Sequence, residues 1–174
     1  MDSLRETLAS GAGAESQVTA LYQAHATGLV RLAMLMLGGD QGAAEDVVQD
    51  AFLGLYRRWS ALGDPGRALP YARSSVLNGC RDVLRKRSRR IPAALVERDA
   101  ESAEARVLLG EEHHEVLAAL RRLPGRQREA VVLRYCLGLP EDQVAQAMNV
   151  SRGTVKSTSH RGLAALAKIL KEDQ

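Results

Sequence analysis

The side chains best suited to a chemical task lie near the end of the chain, between Ser151 and Arg161. Arg152, Thr154, Lys156, Ser157, His160 and Arg161 are all hydrogen-bond donors, and Ser151 stands just before them. Such donors suit nucleic acid: Arg and Lys match guanine edges or phosphates, and Ser and Thr make either kind of contact. At 100° per residue, Gly153, Ser157, His160 and Arg161 share one side of a helix. Val155, Leu163, Leu166 and Leu170 fall on the other, with Ser159 among them. Nothing comparable is arranged for catalysis. There is no Gly-rich phosphate loop, no nucleophile elbow and no paired metal-ligand spacing. His113 and His114 are adjacent, so on a helix they point about 100° apart and cannot share a metal as an i, i+4 pair would. We therefore expect no enzyme activity, no metal and no cofactor.

The donors need a scaffold, and the preceding residues supply one. Pro140 suits the first turn of a helix, where its missing N–H is not needed. Ala145 is small at a point where two helices must approach closely. Residues 148–151, Met-Asn-Val-Ser, read as a tight turn: Asn tolerates the left-handed conformation and Ser caps the second helix. Val155 then points back to the first helix. Two short helices, a short turn and a polar outer face make a helix-turn-helix, whose second helix lies in the DNA major groove. An ordinary helical hairpin would show a solvated Glu/Lys mixture on that face instead.

A second set of polar residues lies upstream. Asp40 caps a helix whose buried stripe is Ala44, Val47, Val48, Ala51, Phe52 and Leu55, extended by Trp59. Its opposite face holds Asp46, Gln49, Asp50, Leu53 and Arg57, placing an apolar side chain at the centre of an acidic surface. That face is convex, whereas a general acid needs a pocket. It fits docking to a basic partner with an apolar recess. Residues 60–69 read as a loop, with Gly63, Asp64, Pro65 and Gly66 as a turn cluster. Pro70 then starts a helix to about Ser88, with Ala72, Val76, Cys80 and Val83 inward. Ser74, Asn78, Arg81, Asp82 and Arg85 share another face. Six basic residues and one acid lie between Arg81 and Arg90. A basic run beside Asn and Arg suits phosphates and base edges together.

The remaining segments complete the organisation. Residues 1–16 read as a flexible N-terminal segment with at most one helical turn. Val18, Leu21, Leu29, Leu32 and Met36 form a helical stripe, with His25 as a satisfied, partly buried residue, and Gly38-Gly39 end that helix. Residues 91–111 are acidic and weakly periodic, and read as a linker that reaches roughly 70 Å when extended. A short helix comes next through Val116, Leu120 and Leu123, then another from Arg126 to Cys136. We expect an all-α fold of two small helical domains, 17–90 and 112–174, joined by a flexible linker.

Composition agrees. Across 174 residues, 45% are hydrophobic but only 3% aromatic, so the cores are built from Leu, Val and Ala, which favours helices. The net charge of +3 alone would not suggest nucleic acid. The alternation of acidic and basic blocks does, because it implies several different partner surfaces. Two cysteines, Cys80 and Cys136, read as buried free thiols of a reducing compartment. No apolar run approaches the roughly 18 residues of a membrane span, and no signal-peptide pattern opens the chain. We expect a cytoplasmic protein without membrane insertion.

Three blocks in order carry a family resemblance: AEDVVQDAFLGLYRRW (44–59), LPYARSSVLNGCRDVLRKRSRR (69–90) and RLPGRQREAVVLRYCLGLPEDQVAQAMNVSRGTVKS (122–157). Together they resemble an extracytoplasmic-function (ECF) RNA polymerase sigma factor, most closely the compact actinobacterial type. The resemblance implies sigma region 2 in the first domain and region 4 in the second. It implies that Asp46, Gln49, Asp50 and Leu53 dock on the β′ clamp helices of core RNA polymerase. Residues 60–71 and the helix after them would open and read the −10 promoter element: Asn78, Asp82 and Arg85 match positions typical of that helix, and with Asp64, Arg67, Tyr71, Ser74 and Arg81 beside them the expected −10 contacts are Asp64, Arg67, Tyr71, Ser74, Asn78, Arg81 and Arg85. The helix-turn-helix would read the −35 element through Ser151, Arg152, Thr154, Lys156, Ser157, His160 and Arg161, and its domain would contact the β flap. The linker would thread toward the RNA exit path. An anti-sigma factor or another regulator would hold the free protein. Two departures stand out: Asn149 replaces the usual turn glycine, and Thr158-Ser159 replace a common Arg-Leu. Aromatics are few around the −10 loop, so polar groups such as Asp64 and Arg67 are expected to hold a flipped base, with Trp59 in the core. The alternatives are a stand-alone helix-turn-helix repressor or activator and a pure interaction module. A plain repressor has no need of the acidic docking face or the −10-type helix, and the polar recognition face and the Arg81–Arg90 run argue against an interaction module that does not bind DNA.

Overall fold

A computed structural model describes the backbone of residues 2–90 and 114–172, with side chains from 13 to 90 and from 115 to 172. The expected linker over 91–111 and His113 lie outside the described residues. Among the described residues every regular element is helical.

Helix α1 runs Asp2–Met36. The expectation of about one helical turn over residues 1–16 is corrected here, because the backbone is helical from Asp2. Ala, Leu and Glu recur in this stretch, and their helix propensity outweighs the cost of Gly11 and Gly13. The helix ends as the paired glycines require: Gly38 and Gly39 have φ of +70° and +90°, and Gly39 N–H bonds the Met34 carbonyl at 2.8 Å. That 6→1 bond is a Schellman closure.

Helix α2 spans Gln41–Arg57, with the Asp40 carboxylate accepting from Ala43 N–H at 2.9 Å. Its buried residues are the six of the expected stripe. Tyr22 of α1 meets Phe52 edge-on, with centroids 5.0 Å apart. The expected loop over 60–69 is largely helical instead. Helix α3 covers Trp59–Leu62, a 3-10 turn covers Pro65–Arg67, and α4 runs Ala68–Arg90. Asp64 accepts from Gly66 N–H at 2.9 Å, and this capped turn leads straight into α4. Pro70 therefore falls inside the first turn, where its missing donor costs nothing. Trp59 is half-buried against the core, as its place after the stripe predicts.

The second half holds α5 (His114–Arg122), α6 (Gly125–Val131), a π-helical turn (Val132–Cys136), α7 (Glu141–Met148) and α8 (Arg152–Glu172). The wide π turn replaces the α-helical end expected up to Cys136. The two halves do not stand apart. Helices α1 and α4 pack on α5, α7 and the π turn, and buried apolar residues of both halves join one cluster.

Candidate nucleic-acid and docking interfaces

Burial of the α2 stripe pushes Asp46, Gln49, Asp50 and Leu53 into solvent. Leu53 is 53% exposed. Tyr56, three residues on and 45% exposed, adds a second large apolar side chain to this face. Residues at i and i+3 are helix-surface neighbours, so that spacing was the available signal for Tyr56. The result is an acidic surface with an apolar ridge.

Around the start of α4 the expected residues play unequal parts. The Asp64 carboxylate is engaged in capping the 3-10 turn, and Arg67 is exposed beside it. Tyr71 is half-buried, with its hydroxyl over Gly54 of α2. Ser74 is half-buried, and Asn78 and Arg85 are exposed. Arg85 pairs with Asp82 one turn away, an exposed contact of small energetic weight. Arg87, from the basic run, is drawn inward to Asp40 and to the Leu37 carbonyl at the end of α1. That cation offsets the negative end of the α1 dipole.

Arg81 makes the most consequential contact of α4. Its Nε and Nη2 donate to the two carboxylate oxygens of Glu129 at 2.6 and 2.7 Å, and its Nη1 donates to Asn78 at 2.6 Å. The Glu129 side chain is only 2% exposed and also accepts from Arg126 at 3.1 Å. The bidentate bond holds the Arg81 guanidinium more firmly protonated than usual. Next to it, burial pushes the Cys80 thiol up to about 12, with the Glu129 charge adding to the effect. Cys80 and Cys136 are both free.

The helix-turn-helix forms as its residues dictate. Asn149 sits at φ 54°, ψ 51°, and Val150 N–H reaches back to the Ala145 carbonyl at 3.0 Å. Pro140 takes the N-cap position, one residue before the first turn. Ser151 Oγ accepts from Thr154 N–H at 3.1 Å, capping α8. Its hydroxyl also lies 2.9 Å from Thr154 Oγ1, and Ser157 Oγ donates to the Thr154 carbonyl at 3.1 Å. Ser151, Arg152, Thr154, Lys156, Ser157, His160 and Arg161 are all exposed. The buried seam of α8 is Val155, Thr158, Ser159, Gly162 and Leu166. Leu163 is a correction: it is 42% exposed rather than inward. The seam passes through Gly162, where a Cβ would lie 2.7 Å from Val131 Cγ2 and 3.0 Å from the Gln127 carbonyl. Leu163, about 100° round the helix from Gly162, falls off that line. Ser159 Oγ is buried without a hydrogen-bond partner.

One group of polar residues escaped the sequence reading. Arg128 is 8% exposed, and its guanidinium donates to the carbonyls of Leu120, Met36, Arg121 and Leu123 at 2.8, 2.9, 2.6 and 3.2 Å. It ties the end of α1 to the end of α5, and burial makes its charge less favourable than in water. No periodicity marks an arginine as a collector of carbonyls. Among the described residues no cluster could hold a metal, and no helix is long and apolar enough to cross a membrane.

Two family models match this chain: Sigma-70 region 2 over residues 21–90 and Sigma-70 region 4 over residues 113–166. The chain is 34% identical over 150 residues to the ECF RNA polymerase sigma factor SigM of Mycobacterium tuberculosis, covering 86% of this chain and 75% of that protein. Its fold is similar to that of CnrH, solved in complex with the cytosolic domain of CnrY, with a TM-score of 0.69 at 24% identity over 94% of this chain and 96% of that one. It is also similar to the sigma factor RpoE solved with the anti-sigma factor NepR from Bartonella quintana, with a TM-score of 0.60 at 22% identity over 84% and 92% of the two chains.

Proposed function

This chain belongs to the sigma-70 family of RNA polymerase sigma factors, in its ECF group, and on that footing we propose how its surfaces divide the work. It binds core RNA polymerase and directs promoter-specific initiation, and it is not an enzyme: the polymerase supplies the chemistry. A stand-alone repressor would have no use for region 2.

In our reading, the α2 face of Asp46, Gln49, Asp50 and Leu53, enlarged by Tyr56, docks on the β′ clamp helices. The turn before α4 and the α4 face, with Asp64, Arg67, Tyr71, Ser74, Asn78, Arg81 and Arg85, open and read the −10 element. The exposed residues of α8 from Ser151 to Arg161 read the −35 element, and their domain meets the β flap. The protein works in the cytoplasm, where its polymerase is, and an anti-sigma factor is its regulator, as one is the partner of the similar RpoE.

The observation that carries the docking assignment is the bare Leu53 amid Asp46, Gln49 and Asp50 on a face that no other described element covers. Replacing Asp50 and Leu53 together with Ala should weaken binding to core polymerase by about thirtyfold, corresponding to about 2 kcal/mol at an interface centre. Both residues are exposed, so the melting temperature should hardly move. Undiminished capture by immobilised core polymerase would remove the assignment.

A further inference from the structure

We propose that the free chain is latched shut by Glu129, which occupies the Arg81 guanidinium that promoter DNA would otherwise take. The proposal rests on the reading of α4 as the −10 helix.

Three observations carry it. First, α4 packs on α7, the leading helix of the helix-turn-helix, so both DNA-reading elements belong to one packed body. The −10 and −35 elements are named for positions some 25 base pairs apart, roughly 85 Å along a duplex. Packed helices lie only about 8–10 Å apart. The docked arrangement therefore cannot serve both elements at once, and engagement requires the halves to part.

Second, one of the polar contacts that join the halves is made by an assigned DNA-reading residue. Arg81 is bound through two parallel N–H···O bonds to a carboxylate 48 residues away. That fork geometry suits a carboxylate and a phosphate alike. Glu129 thus presents to Arg81 the same acceptor chemistry that a DNA backbone would, and Asn78 is drawn into the same cluster through Arg81 Nη1.

Third, Glu129 is held in place to do this. It is almost fully buried in the packed chain and steadied by Arg126, which itself donates to the Met148 carbonyl at the end of α7 at 3.3 Å. A second tie, from Arg128 Nη1 to the Met36 carbonyl, runs alongside. Parting the halves exposes the Arg81 head group and breaks that tie as well.

The test uses the full chain and two readouts, small-angle scattering and binding to a fluorescein-labelled, random-sequence single-stranded DNA pool. Wild type should be compact, near the radius of gyration of about 16 Å typical of a folded chain of 174 residues. Glu129→Gln keeps the side-chain volume but removes the charge. It should expand the particle and tighten DNA binding by about tenfold or more, the range of a charged hydrogen bond. Glu115→Gln, an exposed change on α5, controls for the altered net charge and should leave the particle compact with a far smaller gain in binding. Should Glu129→Gln lose its helical circular dichroism, Arg81→Gln breaks the same pair from its half-exposed side and should show the expansion by itself. An extended wild type, or a compact Glu129→Gln chain with unchanged binding, would overturn the proposal. Expansion without any gain in DNA binding would leave the closure standing but remove Arg81 from DNA recognition, and the proposal as stated would fail.

Discussion

Arg161 is the residue on which the proposed −35 reading can be tested singly. It sits on the outer face of α8, with only a long 3.4 Å contact from its Nε to the Ser157 carbonyl. Its terminal nitrogens are therefore available for a guanine edge or a phosphate. Replacing it with Ala should reduce −35-dependent transcription by about fivefold to 150-fold, the 1–3 kcal/mol of a bidentate base contact. Equal loss on a template lacking a −35 element would show that the effect is not base readout. Arg81 shows the opposite condition: the same side-chain type on a comparable helix face, but already bound to a carboxylate. The two look alike in the sequence, because hydrogen-bonding capacity is a property of residue type and occupancy is not. The exposure of Leu163 was only partly legible: at 100° per residue it lies about 80° round from Val155, at the edge of the buried arc, and the close approach at Gly162 shows where the centre of that arc falls.

At the scale of elements, the helices arise from local chemistry wherever a cap or a periodic stripe is present. Asp40 and Ser151 cap α2 and α8, Gly38-Gly39 and Asn149 close α1 and α7, and the α2 stripe is buried residue for residue. These were legible because each depends on neighbours within about four positions. The turn at 65–67 was legible in the same way, through Asp64, Pro65 and Gly66, although its 3-10 form was not, and neither was the π turn at 132–136, whose Val132 and Leu133 are buried in the core. Two glycines report how closely the elements approach. A Cβ on Gly79 of α4 would lie 2.8 Å from Val47 Cγ1, a side chain with little freedom to move. At Gly162 it would also press on backbone. Gly79→Ala and Gly162→Ala should each destabilise the protein by about 1–3 kcal/mol despite the better helix propensity of Ala. Gly162→Ala should cost more, because its obstacle includes a carbonyl that cannot rotate away. At about 2–4 °C per kcal/mol for a chain of this size, melting curves separate the two. Unchanged or raised melting temperatures would mean that α2–α4 and α6–α8 pack more loosely than described.

At the scale of the whole molecule, a modest net charge of +3 conceals a sorted surface. The exposed side of α2 is acidic and bears Leu53 and Tyr56, while the end of α4 and the outer face of α8 are rich in Arg and Lys. That sorting, together with the order of region 2 and region 4, was readable from the sequence, because charge blocks and motif order survive without coordinates. The docking of the halves was not readable. It depends on a pair 48 residues apart, each member of which looks like surface, and on an arginine that gathers four carbonyls. As a sigma factor, this chain confers promoter choice on a polymerase that otherwise lacks it. The direct measurement is run-off transcription on a pool of genomic fragments by core polymerase with and without the purified chain, with mapping of the RNA 5′ ends. The chain should concentrate initiation at a small set of start sites preceded by common −35 and −10 sequences. The same scatter of 5′ ends with and without it would contradict the account.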